Sequence, residues 1–202
     1  MMFRTTAALS VIAFLLGSLI SQVAYEKKTV MRRLTLVKEP VEITFLLNGQ
    51  PLTTNDVVDT NDGFRNQEFE ASPDWLKNLT LKLRNVSDKT ITYINVNLHF
   101  VEATKNGAMA LHQVFLGVDP NGKFSRPELR LAPGESVEVP LATRYDDIRK
   151  LLLRANAPVE NVSKLWVEMH AALFDDATLF EAGTLYRRDP NDAGRWLVID
   201  RP

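Results

Sequence analysis

The stretch Trp75–Glu102, WLKNLTLKLRNVSDKTITYINVNLHFVE, decides the fold. Leu79, Leu81 and Leu83 alternate with Thr80, Lys82 and Arg84, the period of two expected of a strand with one dry and one wet face. Asn85, Ser87 and Asp88 interrupt the pattern with side chains that bond their own backbone in turns. Ile94, Val96, Leu98 and Phe100 then alternate with Asn95, Asn97 and His99. Two such arms around a turn predict a long antiparallel hairpin whose apolar face needs a second sheet to cover it. Ile91 and Tyr93 share one parity and Ile94 to Phe100 the other, so a bulge is expected at Tyr93-Ile94.

Working outward, Val41, Ile43 and Phe45 alternate with Glu42 and Thr44, and Asn48-Gly49 supplies a tight hairpin turn. Residues 53–74, rich in Asn, Asp, Thr and Gly, read as a long surface loop. Leu111–Val118 makes a further strand after the turn Lys105-Asn106-Gly107. Pro133-Gly134 precedes an edge strand in which Val137, Val139 and Leu141 alternate with Glu138 and Pro140, since proline cannot donate to a ladder. Residues 144–156, RYDDIRKLLLRAN, form the one soluble helix, with Asp146 and Asp147 early and a stripe of Ile148, Leu151, Leu152 and Ala155. Val162–Phe174 and Leu179–Tyr186 read as a second long hairpin about Asp175-Asp176-Ala177, and Trp196–Ile199 as the last strand. The fold class is therefore all-β, an antiparallel sandwich of about eight or nine strands with one short helix.

With 202 residues, 45% of them hydrophobic and 24% charged, the chain has the composition of one globular domain. A formal net charge of -1, without any basic run interleaved with aromatics, gives no support to nucleic-acid binding. The absence of cysteine excludes disulfides, thiolate metal sites and a cysteine nucleophile. Thr5–Tyr25 carries no charge and predicts a hydrophobic helix, so residues 1–25 read as a signal peptide or membrane anchor. No small-residue cleavage motif follows, which favours the anchor. Lys27, Lys28, Arg32, Arg33 and Lys38 follow it and argue for a cytoplasmic domain, whereas the secretion-like start argues for export; export is the expectation. Residues 26–38 read as a charged stalk entering an edge strand near Leu34–Val37, and residues 39–202 as the sandwich domain.

The run Asn85-Val86-Ser87-Asp88-Lys89-Thr90-Ile91, together with Leu131-Ala132-Pro133-Gly134-Glu135 further on, resembles the bacterial immunoglobulin-like modules of exported proteins, including the FxLYD-type domain. The resemblance rests on turn chemistry. Phe100-Val101-Glu102 stands where those modules carry F-x-L-Y-D. It implies an immunoglobulin-like sandwich in an envelope or secreted protein, and no catalytic residues.

His99, His112 and His170 are the only histidines, and none has metal-ligand spacing to another. Asp59-Thr60-Asn61-Asp62-Gly63 and Asp189-Pro190-Asn191-Asp192 depart from the calcium-loop pattern and read as Asx-rich turns. Asp175 and Asp176 sit at a hairpin tip, where neighbours diverge rather than face each other across a glycosidic bond. Ser136 lacks a nucleophile elbow. Sequons at Asn78, Asn85 and Asn161 read as chance. The candidate ligand-binding residues are Arg187, Arg188, Arg195 and Trp196, guanidinium groups beside an aromatic platform suited to an anionic glycan or a partner's carboxylate. The expectation is a non-catalytic, exported or membrane-anchored module acting in protein interaction or structure, with no metal and no cofactor. The alternative is a small carbohydrate- or ligand-binding domain, with calcium as a candidate aid to binding.

Overall fold

The computed structural model describes residues 25–33, 38–52, 55–59, 63–120 and 127–200. The expected N-terminal hydrophobic helix and the edge strand near Leu34–Val37 lie outside these residues, and no described helix is long and apolar enough to cross a membrane. In chain order the strands are β1 (Glu26–Arg33), β2 (Val41–Leu47), β3 (Gln50–Pro51), β4 (Asn55–Asp59), β5 (Phe64–Ala71), β6 (Leu79–Asn85), β7 (Ile91–Lys105), β8 (Ala108–Gly117), β9 (Ser136–Pro140), β10 (Lys164–Phe174), β11 (Thr178–Glu181), β12 (Thr184–Asp189) and β13 (Asp192–Asp200). A single helical turn, α1 (Trp75–Asn78), precedes β6, and the helix α2 (Tyr145–Arg154) follows β9. The chain is all-β, as its alternation predicts.

The arms on either side of Asn85–Thr90 are not a hairpin. β6 pairs with β2 and β9 in a four-stranded sheet ordered β3-β2-β6-β9, whereas β7 pairs with β8 and β10 in a nine-stranded sheet. The chain therefore arches from one sheet to the other, and the two dry faces meet across the core instead of lying side by side. Leu79, Leu81 and Leu83 from one sheet and Ile94, Val96, Leu98 and Phe100 from the other are all fully buried in one cluster. At about 25 cal/mol per Å² of apolar surface removed from water, each such leucine contributes roughly 2 kcal/mol. Ile148 and Leu152 of α2 close one edge of this core, the inward stripe that its sequence spacing places there.

The arch is held by Asn85, which is fully buried. Its Nδ2 donates to the carbonyls of Lys89 and Leu131, both at 2.8 Å, and its Oδ1 accepts from the Ser87 amide at 3.0 Å and the Ser87 hydroxyl at 2.7 Å. The Gly134 amide donates to the Asn85 carbonyl, and Ile91 bridges Leu131. The N-x-S-x-K turn and the P-G-E turn, some 46 residues apart, are thus one hydrogen-bonded unit. This also explains the Asn85 sequon: its amide is committed to the fold.

The large sheet forks. One edge of β10 is covered along its length by β7, while the other carries β1 in parallel beside Lys164–Val167 and β11 in antiparallel beside Ala171–Leu173. β1 then continues into β5 and β4, and β11 into β12 and β13. Glu26–Arg33 is accordingly no stalk but an interior strand between β5 and β10. Its charges are accommodated individually: Lys28 is 1% exposed with its ammonium 2.8 Å from Glu26, and Arg32 donates to the Ile43 carbonyl and pairs with Glu39, tying the two sheets together. The expected loop at 53–74 contains the paired strands β4 and β5. The second long hairpin is two short ones, because Ala182 (φ 47°) and Gly183 (φ 89°) turn the chain back between β11 and β12.

Candidate binding cleft

The outer face of the large sheet is shaped by two bulges. Opposite β10, the register steps from Tyr93 with Leu173 to Ile91 with Phe174, so Thr92 is the extra residue. On β10 itself the register steps from Met169 with Val96 to Ala171 with Asn95, so His170 is extra. The expected bulge at Tyr93-Ile94 is therefore displaced by one residue, to Thr92. Its neighbour Gly117, across from Tyr93, has φ +78°, and a Cβ there would lie 2.1 Å from the Thr92 carbonyl oxygen. Only glycine lets β8 approach the bulge so closely.

The bulges put Ile91 and Ile94 in the core and turn Tyr93 and Asn95 outward, where a second small cluster forms from Tyr93, Ala171 and Leu179 with Phe115, Tyr186 and Trp196 packed against it. Between these residues lies an open cleft of about 340 Å³. Its walls are aromatic: Tyr93 stacks on Phe115 with centroids 6.4 Å apart, and Trp196 closes the far side. Its polar groups are Asn95, Gln113, Asp119, His170 and Glu181. Asn95 is 5% exposed, and its Oδ1 is buried without a hydrogen-bond partner among the described residues. His170 Nε2 lies 3.7 Å from Glu181 Oε1 across the β10–β11 pair. The Tyr93 hydroxyl is pushed from its ordinary value of 10.0 up to about 12, first by burial and then by the negative charges of Asp119 and Glu181. It is a donor throughout the physiological range.

Gln113 links the cleft to a second part of the same face. Gln113 Nε2 donates to Asn97 Oδ1 at 3.2 Å, and Asn97 Nδ2 donates to Glu168 Oε2 at 3.2 Å. His99 Nε2 is 3.1 Å from that same oxygen, so this nitrogen carries the proton, and the imidazole stacks on Trp166 at 4.2 Å. The outward residues of β7 read as wet in the sequence, yet Asn97 is only 5% exposed.

The four sequence-predicted residues divide between two faces. Arg188 and Trp196 are cross-strand partners, the guanidinium lying 4.8 Å from the indole centroid while Nη2 donates to the Pro120 carbonyl at 2.9 Å. Both stand at the rim of the cleft. Arg187 and Arg195 have the opposite parity on their strands; Arg187 is exposed, and Arg195 lies 3.9 Å from Asp189. Of the remaining cleft residues, sequence reading weighed only His170, as a metal ligand, and the parity switch at Tyr93 was the one signal of the cleft itself.

Other candidates have local explanations. Asp189 Oδ1 accepts the Asn191 amide and Asp192 Oδ1 the Gly194 amide, so both carboxylates cap their own turn, while 60–62 of the other Asp-rich segment lie outside the described residues. Asp176 accepts from Thr178 and pairs with Lys89 at 2.7 Å; burial raises its carboxyl, but these contacts outweigh that and hold it below its ordinary value. A larger groove of about 740 Å³ runs between the Asn85–Thr90 turn and the inner ends of β10–β12, floored by Phe174, Phe180 and Leu185, and contains no unpartnered buried polar atom among the described residues. No group of three metal-ligating side chains gathers among the described residues. No family model, curated protein or solved structure matches this chain.

Proposed function

We propose that this protein is a non-catalytic binding module, an immunoglobulin-like β-sandwich held at or beyond a bacterial membrane, which engages its partner through the outer-face cleft. The observation that carries the reading is the cleft's composition. Aromatic walls surround a few fixed polar atoms, the arrangement of a recognition site. A reaction site would add a nucleophile aligned with a base and a set of oxyanion donors. Among the described residues, His170 and Glu181 form a pair without a third group lined up to react. The immunoglobulin-like part of the reading is supported by the direct bonding of the Asn85 turn to the Pro133-Gly134 turn, the two motifs that carry the resemblance.

The alternative, a domain for a small ligand or glycan, is favoured by Trp196 on the cleft wall, a platform for a sugar face. The location is tested with the full-length chain carrying a C-terminal tag. Protease added to intact spheroplasts removes the tag if the domain is exported. Protection until the membrane is lysed refutes export.

A further inference from the structure

The cleft has a definite electrical character. The acidic side chains that line it are Asp119 and Glu181, with His170 beside Glu181, and the one guanidinium at its rim among the described residues is that of Arg188. Asn95 adds a buried oxygen acceptor with no donor facing it among the described residues. A buried acceptor without a donor is destabilising, so an incoming N–H or O–H that reaches it is favoured. Tyr93, Phe115 and Trp196 supply π-faces, which are negative at their centres. Trp196 already carries a cation: the Arg188 guanidinium sits 4.8 Å from its ring centroid. The Tyr93 hydroxyl, pushed up to about 12 first by burial and then by those same two carboxylates, stays a neutral donor on this wall.

From this geometry we infer that the cleft receives an alkylammonium group, its charge facing Asp119 and Glu181, an N–H donated to Asn95 and its methylenes against Phe115 and Trp196. The inference rests on the binding-module reading and names the chemistry of what is bound. A compact ammonium fits better than a guanidinium, because it needs no planar fork of acceptors, only one or two oxygens and an aromatic wall. The group is either the side chain of a lysine presented by a polypeptide or a free small amine.

The test is titration of the full-length chain, followed by the Trp196 indole N–H resonance and the backbone amides of Asn95 and Glu181. The probes are butylammonium, its neutral isostere butan-1-ol, methyl glucoside and a lysine blocked at both backbone ends. Butylammonium is expected to shift these resonances saturably and at least about tenfold more tightly than butan-1-ol. E181Q, which alters an exposed side chain, is expected to weaken it about tenfold, while E138Q on β9 leaves it unchanged. Tighter binding of the blocked lysine points to a polypeptide source, and weaker binding to a free amine. Equal binding of butan-1-ol, or indifference to E181Q, overturns the ammonium assignment. Saturation by methyl glucoside but not by butylammonium overturns it as well and leaves the binding module standing. If no probe moves these resonances, both fall.

Discussion

The two faces of β7 are built from neighbouring residues yet obey different rules. Inward, Ile94, Val96, Leu98 and Phe100 are fully buried among leucines and valines of both sheets. Outward, Asn95 and Asn97 are each 5% exposed without a covering sheet among the described residues, Asn95 beside Phe115 and Trp196 and Asn97 between Gln113 and Glu168. The inward side chains of β7 are all apolar and close-packed, so none of them needs a hydrogen-bond partner. The outer face is buried but incompletely satisfied, and incomplete satisfaction at fixed geometry is what a binding surface requires. The comparison teaches that alternation shows which side chains share a face, while the content of the polar face decides whether that face is merely wet.

Replacing a core side chain should separate the faces most clearly. L81A is expected to cost about 3–4 kcal/mol in urea unfolding, since it removes buried methylenes and leaves a cavity between two sheets that cannot both collapse into it. A loss below about 1 kcal/mol would mean the two sheets do not share a tight core. G117A comes next, at about 2–3 kcal/mol, from a strained left-handed φ and a Cβ driven against the Thr92 carbonyl. Beyond the lost stability it should move the amide resonances of Tyr93 and Asn95, because the bulge is what aims them. Unmoved resonances would show that the bulge does not depend on the glycine.

The third expected effect belongs to the outer face alone. The Tyr93 phenol has a higher pKa folded, about 12, than its ordinary 10.0, so the unfolded chain ionises first. Stability present below pH 10 should then be lost as pH rises from 10 toward 12, by up to about 2 kcal/mol, and Y93F should flatten that part of the profile. The smallest effect belongs to the inner side. His112 on β8 is held below its ordinary 6.5, mainly by burial and then by Arg144, with Asp147 opposing. Its folded form resists protonation, so stability should decline as pH falls below 6.5, and H112Q should reduce that decline. An unchanged acid limb in H112Q would remove the assignment.

Much of the fold was legible because parity is local. The leucines of β6, the apolar set of β7, the stripe of α2 and the edge character of β9 with Pro140 are each visible in a few consecutive residues. Parity does not say which strands share hydrogen bonds, so an arch and a hairpin look alike when both bury the same side chains. β1 was missed because EKKTVMRR reads as solvated, and the partners that make Lys28 and Arg32 tolerable are supplied by Glu26, Glu39 and the Ile43 carbonyl only once the sheets have closed. β5 was missed because FRNQEFEA has no dry side in its pattern. Beside the cleft, Arg188 and Trp196 stand out in the sequence by residue type alone. The arrangement around Asn95 and His170 does not, since the bulges that redirect them leave almost no trace in the residue types.

The seat of β1 has a bearing on how the chain assembles during synthesis. Glu26–Arg33 emerges from the ribosome early but lies between β5 and β10, and the latter starts at Lys164. The four-stranded sheet can pair once Pro140 has emerged, while β1 stays half-partnered through the making of another two dozen residues. Arrest of translation between β9 and β10 should therefore leave the amides of β1 on the β10 side open to hydrogen exchange, with those of β2 and β6 already protected.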